Sequence, residues 1–244
     1  MPSSLSSASA AFAVTPSRAA AGRLGWARGA LAACLGVLVA GFLTRWIIGP
    51  GSEFHPALPW LMAPVGASAV LVFVFPASPL AQPWPVVGGS LIPAVLGLAI
   101  HALVPEPLIA GAIALAAAIM MMTLARCLHP PGGACALLAA MGWPAADTLG
   151  WQALILPLAA NVVIIVAMGL LLNTLTGHRY PHHPKPGPVL APGTWAGSYT
   201  DEDLDAVLEE WDEVLDVSRE DLDALFRQVE RRVQRKWLER HTPS

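Results

Sequence analysis

His129 sits between an apolar run that ends in Arg126 and the doublets Pro130–Pro131 and Gly132–Gly133. An imidazole titrates near neutrality, so in apolar surroundings it can bind an anion when protonated, or couple solute movement to a proton. Arg126, one turn earlier, is a fixed cation that either holds an anion or anchors a span end at the headgroups. Proline removes a backbone donor, and glycine lets an ion or a second backbone come close. A helix that starts at such a break points its first N–H groups and its positive dipole end outward. That end binds small anions without a basic side chain. A plainer reading fits the same residues. Proline is ordinary in a first helical turn, and small residues let membrane helices pack tightly.

A second stretch has the same design. Residues 64–71 read PVGASAVL and residues 130–137 read PPGGACAL, with proline, glycine and leucine coinciding at an offset of 66. The candidate solute-binding residues are therefore Pro64, Gly66 and Ser68 in one break, and His129, Pro130, Pro131, Gly132 and Gly133 in the other. Gln82, in the uncharged loop SPLAQPWP with Ser78, is a candidate for the entrance. Asn161, in the last apolar segment with Asn173, either lines the cavity or bonds across helices.

The elements that position these residues follow from hydropathy. The chain is 55% hydrophobic and 13% charged, with mean hydropathy +0.57. Its apolar residues form blocks long enough for a hydrocarbon core of about 30 Å. The fold class is all-α, a polytopic transmembrane bundle of about six spans near 29–49, 60–76, 87–104, 108–126, 130–143 and 152–173. Six crossings with a cytoplasmic N-terminus put Arg18, Arg23, Arg28, Arg126, Arg179 and Lys185 inside and Glu53, Glu106 and Asp147 outside, leaving Arg45 to snorkel. Both termini are then cytoplasmic. The short second and fifth segments become the middle spans of two oppositely oriented halves. Short, Gly/Pro-broken segments in matching places of inverted halves mark a transporter's binding site.

Other chemistries find little footing. There is no nucleophile elbow, P-loop, HExxH or close carboxylate pair in the apolar part, so neither an enzyme nor a cofactor is expected. His178, His182 and His183 have no nearby carboxylate or cysteine in sequence, and Pro181 and Pro184 argue against a helix there, so no metal site is expected. Cys34, Cys127 and Cys135 are too few and too apolar in setting for a disulfide framework. No basic patch suggests nucleic acid. His101 reads as an interface residue.

Several blocks resemble one family. Leu128–His129–Pro130–Pro131 followed by GGACALL resembles the signature of the HPP family of integral membrane proteins. APVGASAVLVF (63–73), SPLAQPWPVVGG (78–89) and NTLTGHRYPHH (173–183) resemble family blocks in the same order, so the likeness covers about residues 28–183. It implies a membrane transporter or channel in the bacterial inner membrane. Nitrite transport has been proposed for plastid and cyanobacterial members, while bacterial members mostly have no assigned substrate.

The two ends of the chain read differently. Residues 1–28 are Ser/Ala-rich, with three arginines and no acid, and fit a disordered cytoplasmic leader or a transit peptide. After the membrane region 29–177 come a Pro/Gly-rich linker, 178–199, and an amphipathic αα-hairpin, 200–240. The hairpin holds 14 of the 17 acidic residues and 7 of the 14 basic ones. Thr200 with Asp203 and Ser218 with Asp221 look like capping boxes. Leu204, Val207, Leu208, Trp211 and Leu215 form one stripe; Leu222, Leu225, Phe226, Val229, Val233 and Trp237 form the other. Two helices rarely make a core alone, so the apolar face should meet a second copy or the membrane part. The tail also resembles the segment that precedes a pair of CBS domains in larger relatives. Without that pair, regulation by adenosine ligands is not expected. The partners expected are thus the bilayer, a small anion and a second copy of the chain.

Overall fold

The computed structural model describes residues 25–48, 60–142, 150–183, 199–211 and 217–241. Most of the leader, Glu53, Asp147, Lys185, most of the linker, Leu215 and the Trp211 side chain lie outside the described residues. Eight α-helices are described: α1 (Gly25–Ile48), α2 (Ala63–Val74), α3 (Pro83–Leu103), α4 (Pro107–Leu124), α5 (Pro131–Met141), α6 (Gln152–Leu175), α7 (Asp201–Trp211) and α8 (Arg219–His241).

Helices α1, α3, α4 and α6 are long and apolar enough to cross a bilayer. Helices α2 and α5 have only 12 and 11 residues. At ~1.5 Å per residue each is roughly 17–18 Å long, well short of a ~30 Å hydrocarbon core. The six apolar segments are therefore six helices, with the middle one of each half truncated.

Proline fixes most of the starts. Helices α2, α3, α4 and α5 each carry proline in the first turn, where its missing N–H removes no helical bond. That corrects one expectation. SPLAQPWP is not simply a loop, because Pro79–Ala81 forms a 3-10 turn and α3 begins at Pro83. Helix α1 likewise begins at Gly25, so Arg28 belongs to the first span and not to the leader.

The helices pack as two triads. One is α1, α2 and α6; the other is α3, α4 and α5; they meet along α3 against α6 and α2 against α5. Exchanging α1 with α4, α2 with α5 and α3 with α6 maps this set of packed pairs onto itself. Directions agree. Asn161 bonds the start of α2 and Asn173 its end, so α2 runs parallel to α6. Gly89 meets His129 and Gly97 meets Ala136, so α5 runs parallel to α3. Gln82, just before α3, bonds His182, just past α6, so α3 opposes α6. The two halves are thus inverted, and each sends its last helix into the other's triad.

Asparagine sets the length of α2. The Asn161 carboxamide accepts from Met62 N–H (3.0 Å) and donates to Trp60 O (3.0 Å) and Thr44 Oγ1 (2.7 Å). Asn173 donates to Val72 O (3.0 Å), and Arg28 donates to Phe73 O (3.0 Å) and to Asn173 Oδ1 (3.1 Å). Two amides twelve residues apart on α6 thus bracket a helix of twelve residues.

Asn161→Leu keeps approximate volume but strips the α2 entry of its partners. We expect a stability loss of about 1–3 kcal/mol, the cost of stranding buried backbone groups. Reversible unfolding in mixed micelles measures it; a variant as stable as the parent would show that Asn161 does not hold α2.

Candidate functional site

The two breaks converge on one buried contact. Helix α4 ends in a turn that closes with Cys127 N–H on Met122 O (2.8 Å) and puts Arg126 at φ 51°. Glycine is the usual residue at that left-handed position, so an arginine there carries strain. The chain then runs outside any helix through Leu128 and His129 to the Pro130–Pro131 start of α5.

His129 is 0% exposed and bonded at both ring nitrogens. Nδ1 lies 2.8 Å from Leu80 O, in the turn between α2 and α3. Nε2 lies 2.8 Å from Ser68 Oγ, midway along α2. A carbonyl only accepts, so Nδ1 carries the proton, and in the neutral ring Nε2 accepts the Ser68 hydroxyl. Ser68 Oγ is also 3.4 Å from Pro64 O. Protonating Nε2 would reverse the first bond and turn the serine hydroxyl toward Pro64 O. This contact joins the two triads, and its hydrogen-bond direction reports a proton.

The first donors of α5 are already engaged. Pro130 and Pro131 have none, Gly132 N–H bonds His129 O (2.8 Å), and Gly133 N–H bonds Pro130 O (3.0 Å). The glycines do not share one cavity in this conformation. A Cβ on Gly132 would lie 1.8 Å from Gly89 O, and one on Gly133 would lie 3.1 Å from the Leu115 side chain. A Cβ on Gly66 would meet nothing within 4 Å, because that face of α2 points away from Ser68.

The remaining candidates are spread out. Pro64 and Pro131 are buried, while Pro130 is exposed. Asn161 is occupied at the start of α2, on Met62, six residues from Ser68, or about 9 Å along the helix. Gln82 clamps the turn that supplies Leu80 O, donating to Pro76 O (3.0 Å) and Ser78 O (2.8 Å) and accepting from His182 N–H (2.8 Å). His101 Nδ1 bonds Ala140 O (2.9 Å), tying α3 to α5. His182 pairs with Asp221, and His178 Nδ1 meets Thr176 O. Among the described residues no three His, Cys, Asp or Glu side chains cluster as metal ligands.

Sequence reasoning missed Leu80, whose contribution is a main-chain carbonyl that no residue type announces. It also missed Gly89, although the Gly88–Gly89 doublet in SPLAQPWPVVGG signals a close helix approach. Arg28 was counted as a flanking charge; it reaches the end of α2 and leaves a buried Nε–H with no partner.

Substitutions separate the two kinds of glycine. Gly132→Ala forces α3 and α5 apart and should cost about 1–3 kcal/mol, the usual range for overpacking. Gly66→Ala should be neutral or stabilising by up to about 1 kcal/mol, through helix propensity alone. Unfolding midpoints of both variants check this, and equal effects would contradict the packing described.

Two transmembrane proteins of Dictyostelium discoideum are similar in sequence. One is 36% identical over 130 residues, covering 50% of this chain and 44% of its own length. The other is 32% identical over 176 residues, covering 68% of this chain and 53% of its own length. The chain thus aligns with about half the length of each. No solved structure matches. The HPP transmembrane region family matches residues 18–181, from before α1 to the exit motif after α6, and this stretch includes the Ser68–His129 contact. This chain belongs to the HPP transmembrane family.

Proposed function

We propose that the protein moves a small anion across the membrane, nitrite-like by family resemblance, with one proton carried on His129. The observation that carries this reading is the buried Ser68–His129 contact where two inverted, truncated helices meet. In this reading the conformation described is the occluded one. Rocking the α1/α2/α6 triad against the α3/α4/α5 triad opens the α2–α5 seam and exposes both side chains. A protonated ring then offers Nε2–H and Ser68 offers its hydroxyl, which is a donor pair suited to a small oxyanion. The imidazolium charge offsets the anion's, so the pair crosses nearly neutral. Arg28, Arg126 and Arg179 raise anion concentration on the side where α2 ends and α5 begins. Among the described residues of the apolar helices, Glu106 is the one carboxylate, and it caps α4 at the opposite end by accepting from Ile109 N–H. No chemical transformation of the solute is proposed.

Uptake into proteoliposomes from a panel of nitrite, nitrate, formate, sulfate and neutral solutes tests this. An inward proton gradient should accelerate uptake of the chosen anion. His129→Gln should lower uptake roughly 10–100-fold and abolish the response to the gradient, the effect of losing a charge-assisted donor at about 1.5–3 kcal/mol. Ser68→Ala should raise KM and keep the gradient response. Flux no greater than in empty liposomes, or a preference for neutral solutes, would overturn the reading.

The proposed setting is a bacterial inner membrane with both termini cytoplasmic. Cysteines placed at Asp147 and Lys185 should label from opposite sides; labelling of both from outside would exclude six crossings. A second reading, an interaction or sensory module acting through a self-associating hairpin, draws on the exposed Leu225, Phe226, Val229 and Val233 of α8. Deleting residues 198–244 separates the two. A transporter keeps flux, whereas a module loses its whole phenotype.

A further inference from the structure

The exit from α6 does more than lead to the tail. Gly177, at φ 80°, turns the chain sharply just past Leu175, and residues 178–183 fold back along the turn that follows α2. Three bonds hold that course: Tyr180 O–H on Ala81 O (2.8 Å), His182 N–H on Gln82 Oε1 (2.8 Å), and His182 Nε2 on both oxygens of Asp221 (2.9 and 3.0 Å). The last of these docks α8 onto the exit. A cleft of about 550 Å³ remains between them, with His178, Arg179 and His183 on one wall and Gln228 on the other.

Its charge is one-sided. Asp221 is the one carboxylate lining it, and that carboxylate is already taken by His182 and by the Ser218 hydroxyl (2.6 Å). Arg179, His183 and Gln228 make no side-chain hydrogen bond among the described residues. His178 uses Nδ1 on Thr176 O (3.1 Å), leaving Nε2 for a ligand. A guanidinium, two imidazoles and an amide thus face a space of ligand size without a local acid to satisfy them.

We propose that this cleft binds a phosphate group and that bound phosphate pins the hairpin to the membrane domain. Phosphate suits the lining, since its oxygens accept several bonds at once and a guanidinium can grip two of them in parallel. The group comes either from a soluble phosphate ester or from an anionic lipid headgroup. The second source is within reach because the cleft opens two residues beyond the last membrane helix. Phosphate here bridges residues of the α6 exit and of α8, adding to the His182–Asp221 link. The proposal is independent of what the membrane domain carries, and its readout does not use transport.

The full-length protein is tested in two arms. In detergent, inorganic phosphate and glycerol 3-phosphate are titrated by calorimetry. In nanodiscs, phosphatidylcholine alone is compared with mixtures containing phosphatidylglycerol, with trypsin cleavage of the tail as readout. Binding in the first arm identifies a soluble ester; protection confined to phosphatidylglycerol discs identifies the headgroup. In whichever arm responds, Arg179→Gln with His183→Gln should weaken binding or protection at least tenfold. Both side chains are exposed, so the variant should fold, and unchanged unfolding confirms it. Arg231→Gln with Arg232→Gln, on α8 outside the cleft, should change neither arm. No response in either arm, an undiminished response in the Arg179/His183 variant, or an equal loss in the Arg231/Arg232 variant would overturn the proposal.

Discussion

A peptide group inside a bilayer must find its partner within the chain, and here two apolar helices are too short to cross one. Everything distinctive about the fold answers that constraint. The start of α2 is met by the Asn161 amide, and its end by Asn173 and Arg28. The start of α5 is met differently: two prolines delete donors, and the next two N–H groups close onto His129 O and Pro130 O. The first solution uses side chains from a neighbouring helix. The second uses the local backbone, and it lets Gly132 lie directly on Gly89.

That difference divides the molecule into closely fused helix pairs and a more sparsely bonded seam between them. Helix α5 is fused to α3 by glycine-on-backbone contacts at Gly89, Gly97 and Gly132, where no atom could be added without shifting a helix. Helix α2 is fused to α6 by amides at both ends. The α2–α5 seam has neither device. It is joined by Ser68 and His129, whose hydrogen bond can run in either direction. In the transport cycle proposed above, opening costs least where two close-packed bodies share few bonds, which is this seam.

The outline of this arrangement was legible because hydropathy and proline act locally. Six apolar segments, two of them short, and a repeat at an offset of 66 were enough to place truncated helices in inverted halves. The partners of the helix ends were not legible. Met62 and Asn161 are 99 residues apart, and Arg28 and Asn173 are 145 apart, distances over which no periodicity speaks. The repeat also suggested that Gly66 and Gly132 do the same thing. They do not: aligned positions share a place in the fold, but Gly132 faces the neighbour of its own triad, whereas Gly66 faces open space. Identity of residue type at a repeat is evidence about backbone geometry and only secondarily about contacts.

The hairpin shows the same logic outside the membrane. Its capping boxes form as spaced, with Thr200 and Asp203 exchanging bonds and Ser218 accepting from Asp221 N–H. Its helices are joined by Arg219 on Asp205 and by Arg227 on Asp201, pairs exposed enough to contribute little. Tyr199 adds an edge-on contact with Phe226 and lies under the Arg227 guanidinium. These contacts set the angle of the hairpin better than they stabilise it. Docking through Asp221 therefore matters more than the pair's own strength suggests. Burial works against ionising that carboxyl, yet the Ser218 hydroxyl and His182 outweigh it and hold Asp221 below the usual carboxylate range. The charged form is thus favoured first by the local Ser218 cap and then by docking on His182. The stability it adds is present above the ordinary carboxylate pKa of about 3.9 and fades only in stronger acid. At neutral pH the hairpin is held at the exit by the same turn whose Leu80 carbonyl holds His129, since Gln82 binds His182 two residues further along. A shift of the tail therefore acts on the same turn that holds His129 against Ser68.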